Sequence, residues 1–300
     1  MSKSQTVKVG NHQLEISSLD KILFPDEGVT KGDVIEYYSD IADLALPYLE
    51  DRALTFKRYP DGLKGEGFYQ KHAPDYAPDW IKHVDFDKRE GGSMTQLSAH
   101  AEGDLVWMAN NAGILIIHAP LARTDKPDHP DVMVFDLDPS EDYSDTVRKV
   151  ALELRGILEE RDLKSFVKTT GSRGFHICVP LRRDHDFQTM RDESRRIAKE
   201  LEEHCPDATT TQHRKKKRGG KIFIDTYRNA YGQTRVAPYS LRAKDGAPVA
   251  CPLDWDELKS SDLHPQQYTI KNIRQRLAKK TDPWAGFLKT HNRLKLTDQS

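Results

Sequence analysis

Two carboxylates close an apolar run in this chain. In VMVFDLDPS, residues 132–140, Asp136 and Asp138 follow Val-Met-Val-Phe and are separated by a single leucine. Such a run reads as a strand, and strand alternation puts both acids on one face with Met133, Phe135 and Leu137 on the other. Pro139 stops the strand. Two anions this close repel, and burial penalises both. A divalent cation between them relieves that cost, since Mg²⁺ and Mn²⁺ prefer carboxylate oxygens and bridge to phosphates. The plainer reading is a strand end with both acids hydrated. A second apolar strand, KIFIDTY, carries Asp225 on the face opposite Ile222 and Ile224. If that face joins the first, three carboxylates converge in a pattern suited to two-metal phosphoryl transfer. Otherwise Asp225 is a strand acid paired with a neighbour such as Arg228.

Two further segments suit anions. In TTGSRGFHICVP, Gly171 and Gly174 bracket Ser172 and Arg173 in a tight hairpin, and His176 begins the next strand. Backbone N–H groups, hydroxyls and a guanidinium in such a turn fit phosphate oxygens, although glycine turns also serve as plain hairpin connectors. QHRKKKRGGK, residues 212–221, holds six Lys or Arg and no acid directly before the Asp225 strand. Alone it is a solvated loop; beside an acidic site it suits polyphosphate or a nucleic-acid backbone. His118 ends the aliphatic strand ILIIHAP, as a structural histidine or as part of the site.

The elements that must position these groups follow from periodicity. Thr30 is a helix N-cap for GDVIEYYSDIADLALPYL, ALTFKRYP is a strand, GDLVWMANNAG a short helix and ILIIHAP a buried strand. The polar, proline-containing LARTDKPDHPD separates an N-terminal module, 1–122, from a second module, 131–300. There, strand VMVFDLDP, helix DTVRKVALELRGILEE, strands KSFVKTT and FHICVPL, a helix over 187–204, and strands KIFIDTY and VAPYSLRA give an α+β pattern. Its helices pack on a mostly antiparallel sheet. A net charge of −1 with 31% charged residues makes distribution more informative than sum. Three scattered cysteines without C-x-x-C argue against a disulfide framework or zinc site and for a reducing cytoplasm. MSKSQTVKVG lacks a signal peptide's apolar core, and no apolar run is long enough to span a bilayer, so the reading is a cytoplasmic chain without membrane contact.

Taken in order, SLDKILFP, TKGDVIEYY, FKRYP, GFYQKHAP, IIHAP, VFDLDP, TTGSRGFHICVPL, KIFID and VAPYSLRA resemble the polymerase domain of bacterial ligase D. That domain is a member of the archaeo-eukaryotic primase superfamily acting in non-homologous end joining. The resemblance implies an RRM-like antiparallel sheet with flanking helices plus an N-terminal α/β module around a central cleft. It implies template-directed addition of nucleotides, ribonucleotides preferred, to 3′ ends at gaps and double-strand breaks. By the same resemblance Asp136, Asp138 and Asp225 hold two Mn²⁺ or Mg²⁺ ions. His118, Arg173, His176, Arg228 and Arg242 contact the incoming NTP or dNTP, and Thr170 or Ser172 reads its 2′-hydroxyl. Lys215 and Arg218 assist there or touch DNA. Phe68 and Tyr69 stack on the template or nucleotide region, and Lys57 and Arg58 line the same cleft. Lys21 and Lys31 grip the 5′-phosphate across a gap. Implied partners are broken or gapped DNA, Ku and a DNA ligase, with a nucleoid location.

The chain departs from the family pattern at Thr170-Gly171-Ser172-Arg173-Gly174, where relatives have Ser-Gly-Ser-Lys-Gly, and at Ser18, where they have Asn. Arg173 keeps the charge with a longer, planar group. Tyr69 replaces a second Phe and can still stack. Two rival readings use the same acids or none: a standalone primase, against which stands the absence of a cysteine-rich module, and an inactive DNA-end-binding module.

Overall fold

The computed structural model describes residues 4–87, 91–140 and 145–296. The first three and last four residues of the 1–300 range therefore lie outside it. The chain divides into two compact units, and the division is not linear. One unit holds residues up to Pro120 together with Val236–Ala250 and Tyr268–Arg276; the other holds Leu121–Arg235, Cys251–Gln267 and the residues from Leu277 on. The expected linker at 121–131 falls beside the first crossing, but two later segments of the expected 131–300 module return to the first unit. Arg242 goes with them.

In the first unit, helix α1 (Lys31–Asp40) starts where Thr30 and Asp33 cap each other. The Asp33 N–H donates to Thr30 Oγ1 and the Thr30 N–H to Asp33 Oδ2, satisfying two otherwise orphaned donors. Its buried face carries Val34, Tyr37 and Tyr38. Strands β1 (Thr55–Tyr59) and β2 (Phe68–Gln70), helix α2 (Glu102–Ala112) and strand β3 (Ile114–Pro120) follow. β3 pairs antiparallel with β1, and β1 with β2. The Tyr38 hydroxyl donates to the Leu115 carbonyl, tying α1 to β3 through a buried contact. Beyond β3, the Ala237 N–H donates to the Ile117 carbonyl. VAPYSLRA was expected to be one strand, but only Thr234–Val236 is extended. Pro238 lacks the N–H a ladder needs, and Tyr239 turns the chain at φ 63°.

The second unit is a β-α-β-β-α-β motif. Its elements are β4 (Val132–Pro139), α3 (Thr146–Glu160), β5 (Phe166–Thr169), β6 (Phe175–Pro180), α4 (Phe187–His204), β7 (Thr209–Thr210), β8 (Ile222–Asp225) and β9 (Pro252–Leu253). The sheet order is β7-β8-β4-β6-β5-β9, antiparallel except where β7 meets β8. Its central four strands have the interleaved order of ferredoxin-like and RRM-type sheets, so the α+β, RRM-like expectation holds. Helix α3 buries Val147, Val150, Ala151, Leu154, Ile157 and Leu158, the stripe its 3.6-residue period puts on one side. Each fully buried aliphatic of this kind contributes about 1.5–3 kcal/mol. Leu154→Ala, leaving a cavity, would cost about 2–5 kcal/mol. Asp186 caps α4 by accepting from the Thr189 N–H.

One glycine fixes how β6 enters beside β4. A Cβ on Gly174 would lie 1.8 Å from the Leu137 carbonyl oxygen, so no side chain fits without parting the strands. Asn229, fully buried, serves β4 at its other half. Its Oδ1 accepts from the Val134 N–H at 2.8 Å and its Nδ2 donates to the Val134 carbonyl at 2.7 Å, imitating a strand partner where β8 does not reach.

Candidate active site

Register brings the acids together. Asp136 on β4 is the direct cross-strand partner of Asp225 on β8 and of His176 on β6; His176 in turn faces Lys168 on β5. Cross-strand partners share a face, with Cα atoms about 4.5–5.5 Å apart. Lys168, His176, Asp136 and Asp225 therefore form one row across four strands. Asp138, two residues on from Asp136, shares that face and stands diagonal to Asp225. Met133, Phe135 and Leu137 are fully buried on the reverse face.

Burial and charge set unequal states along this row. Burial pushes Asp136 up, but His176 first, then Arg228 and Lys168, outweigh it and hold the carboxyl below the usual range. Burial, then the charge of Lys168, drives His176 down to about 4 against the pull of Asp136. The imidazole is thus neutral at pH 7. It supports Asp136 as a dipole with Nε2 at 3.5 Å, and the full positive charges come from Arg228 and Lys168. His176 Nδ1 is buried with no hydrogen-bond partner among the described residues. Burial, then Asp136, pushes Asp225 up, while the Tyr227 N–H, donating at 2.7 Å, and Arg228 pull the other way. Adjacent carboxyls driven apart in acidity are a mark of functional sites.

The cationic residues expected around the acids gather there. Arg173 Nη2 lies 3.1 Å from Asp138 Oδ1, and Arg218 Nη1 lies 3.6 Å from Asp138 Oδ2. Arg228 Nε lies 3.9 Å from Asp225 Oδ2. Arg218 is held by the Gln212 and His213 carbonyls and stacks over Phe223, its guanidinium 3.9 Å from the ring centroid. Lys215, in the same loop, is exposed. The glycine turn closes through the Thr170 N–H and Gly174 carbonyl, with Gly171 at φ 61°. The Thr170 hydroxyl is committed inside it, accepting from the Ser172 and Gly174 N–H groups. Ser172 is half-buried and its carbonyl accepts from Gln266 Nε2.

All-oxygen donors on one partly buried face suit a hard divalent cation at Asp136 and Asp225. Among the described residues, no three His, Cys, Asp or Glu side chains form a ready-made metal cage. The Asp138 oxygens are turned to Arg173 and Arg218.

The remaining expected residues sit in the other unit. β1 and β2 pair Lys57 with Tyr69 and Arg58 with Phe68. Alternation therefore sends Lys57 and Tyr69 to one face and Arg58 and Phe68 to the other, so Lys57 and Arg58 do not line one surface as expected. His118, paired with Thr55, belongs to the Lys57 face, and its ring lies 5.8 Å from that of Tyr69. Arg58 is engaged internally, donating to Gln70 Oε1 at 2.6 Å and to the Asn111 carbonyl. Arg242, half-buried, donates its N–H to the Pro248 carbonyl. Lys21 and Lys31 are neighbours through the Lys31 N–H and Lys21 carbonyl, at the α1 N-terminus. Lys31 is buried, donates to the Ser17 carbonyl, and is shifted down by burial and then by Lys21. Lys21 pairs with Asp61 at 2.8 Å. Ser18 lies at φ 57°, a left-handed conformation in which asparagine is enriched, so the family's Asn there has a backbone reason.

Sequence reasoning missed Lys168 and Asn229. Lys168 had a signal, since a lysine inside the buried strand SFVKT needs a nearby anion. Asn229 had none, because its role depends on where β8 ends.

Residues 30–284 match the family described as LigD, primase-polymerase domain. The multifunctional non-homologous end joining protein LigD of Mycolicibacterium smegmatis is 34% identical over 254 residues, 84% of this chain and 33% of that protein. The bifunctional non-homologous end joining protein LigD of Bacillus subtilis is 34% identical over 280 residues, 92% and 44% respectively. This chain thus spans a third to less than half of those relatives. Among solved structures, the polymerase domain from Mycobacterium tuberculosis ligase D in complex with DNA matches with a TM-score of 0.87 and 30% identity, covering 93% of this chain and 99% of that one. No helix among the described residues is long and apolar enough to cross a membrane. The match in sequence, in fold and in extent makes the chain a member of the LigD primase-polymerase family.

Proposed function

We propose that the chain is a template-directed nucleotidyltransferase. It would extend 3′ ends at gaps and breaks in DNA during non-homologous end joining, with ribonucleotides preferred. The observation that carries this reading is the Asp136–Asp225 cross-strand pair, flanked by His176, with Arg228 beside Asp225 and Arg173 and Arg218 beside Asp138 on the same face. Asp136 and Asp225, joined by Asp138, would hold the divalent cations, Mg²⁺ or Mn²⁺. Those ions supply Lewis-acid polarisation of a phosphate and acidify a bound hydroxyl. The chain's own residues do the rest. Arg173 and Arg218, leaving Asp138, would take the negative charge of a triphosphate. Neutral His176 offers a hydrogen bond without adding charge, and Lys168 and Arg228 keep Asp136 ionised. Asp225, the more easily protonated carboxyl, would be the group to receive a proton from the attacking hydroxyl. Ser172 is the better candidate for reading a 2′-hydroxyl, because the Thr170 hydroxyl is committed to its turn.

His118 and Arg242 would add nucleotide contacts, Lys57, Tyr69, Phe68 and Lys215 contacts to DNA, and Lys21 with Lys31 a 5′-phosphate site at a helix N-terminus. Ku and a DNA ligase would be the partners, on the bacterial nucleoid. The test is extension of a primer across a gapped, 5′-phosphorylated template with rNTPs or dNTPs and Mg²⁺ or Mn²⁺. Metal-dependent, template-matched products support the reading. Binding without synthesis would leave an end-binding module, and synthesis without a primer would make the chain a primase.

A further inference from the structure

The glycine turn that carries Ser172 and Arg173 is held from one side by a residue that the reactions above do not use. Gln266 Nε2 donates to the Ser172 carbonyl at 2.9 Å. Gln266 is far from that turn in sequence, and its own segment is firmly placed. Trp255 Nε1 donates to the Ser165 carbonyl at 2.9 Å, Arg148 Nη1 on α3 donates to the Leu258 carbonyl at 3.0 Å, and Leu258 and Leu263 are buried. The chain then turns at 264–267, where the Gln267 N–H donates to the His264 carbonyl and the Gln266 N–H to His264 Nδ1. A half-buried Gln266 is thus aimed at the glycine turn by a fixed backbone.

Inside that turn the Ser172 and Gly174 N–H groups both donate to Thr170 Oγ1. The Arg173 N–H between them has no hydrogen-bond partner among the described residues. The peptide is trans and planar, so its C=O and N–H point opposite ways. With the Ser172 carbonyl turned to Gln266, the Arg173 N–H points away from Gln266. We propose that Gln266 is a positioning residue. It fixes the Ser172–Arg173 peptide so that the Arg173 N–H, together with the Arg173 guanidinium, is offered to a phosphate oxygen of the incoming nucleoside triphosphate. A free backbone donor and a charged fork on one residue suit a polyphosphate better than a ribose hydroxyl. Gln266 then sets triphosphate affinity without touching the nucleotide. This inference rests on the nucleotidyltransferase reading of the chain.

The test is gapped-template primer extension by the whole chain, with metal in excess, for two variants. Gln266→Met keeps the length and loses the amide; Gln266→Glu puts a carboxylate against the Ser172 carbonyl. KM for the nucleotide is expected to rise about threefold to tenfold in Gln266→Met and further in Gln266→Glu. The inhibition constant of inorganic tripolyphosphate, which has neither base nor ribose, should rise by the same factor. kcat, affinity for the gapped DNA and the unfolding midpoint should stay at wild-type values. Wild-type KM in both variants overturns the inference. So does a changed choice between rNTP and dNTP with tripolyphosphate inhibition intact, which would place the effect of Gln266 on the Ser172 hydroxyl. A parallel loss of kcat, DNA affinity and thermal stability overturns it in favour of a plain structural contact. Each of these leaves the proposed function standing, whereas a wild-type chain that extends no primer overturns both.

Discussion

The acid face of the second unit and the β1–β2 ribbon of the first obey the same period-two rule with opposite outcomes. In DLD, the spacing i, i+2 puts Asp136 and Asp138 on one face, and register adds Asp225 and His176. In FKRYP and GFYQ, the spacing i, i+1 splits Lys57 from Arg58 and Phe68 from Tyr69. One region concentrates like charge until it needs cations. The other divides its cations and rings between two faces. Neighbours in sequence are therefore poor guides to neighbours in a site, and alternation is the better one.

The largest test of the concentrated face is Asp136→Asn. It keeps shape and removes the charge facing Asp225. Loss of several kcal/mol of transition-state stabilisation means a fall in primer extension of about 10³-fold or more. DNA affinity should change little. Extension at wild-type rate, measured in the gapped-template assay, would refute the acid row as the reaction centre. Gly174→Ala attacks the same face through its frame. Its methyl meets a backbone carbonyl that no rotamer change can move, so unfolding should become easier by about 3 kcal/mol or more, read from denaturant titration.

Much of this frame was legible in the sequence. Helices 146–160 and 187–204 carry clean amphipathic periods, and Thr30 with Asp33 marks a helix start within four residues. DLDP and FID exposed their acids by alternation. The rest was hidden because it is non-local. That Asp136 faces Asp225 depends on strand order, not spacing. That 236–250 and 268–276 return to the first unit leaves no mark in composition. The inward turn of Arg58, tied to Gln70 and Asn111, depends on where two distant segments pass.

Acidity offers a smaller test of the row. Folding lowers His176 from its ordinary 6.5 to about 4, so between those values the unfolded chain holds a proton that the folded chain does not. Stability from this group is complete above pH 6.5 and lost as pH falls toward 4, by about 3 kcal/mol. Asp225, shifted up, works in the opposite sense as pH falls, while Asp136, shifted down, works in the same sense at lower pH. The His176→Gln variant separates these contributions. Its stability measured in chelator should fall less steeply from pH 6.5 to 4 than that of the wild type, and parallel profiles would remove His176 from the account.

The divided ribbon is sharpened by substituting its two adjacent cations. Arg58→Ala removes hydrogen bonds to Gln70, Tyr76 and the Asn111 carbonyl, the last left without that donor in a partly buried place. A loss of about 2 kcal/mol is expected. Lys57 touches Tyr59 and Tyr69 only through ring contacts at 5.2 and 5.5 Å, so Lys57→Ala should cost under about 1 kcal/mol. Its effect should appear instead in nucleic-acid affinity, as a lower slope of log affinity against log salt, close to one phosphate contact. Equal stability losses for the two variants would mean that alternation along β1 does not separate a structural cation from a binding one.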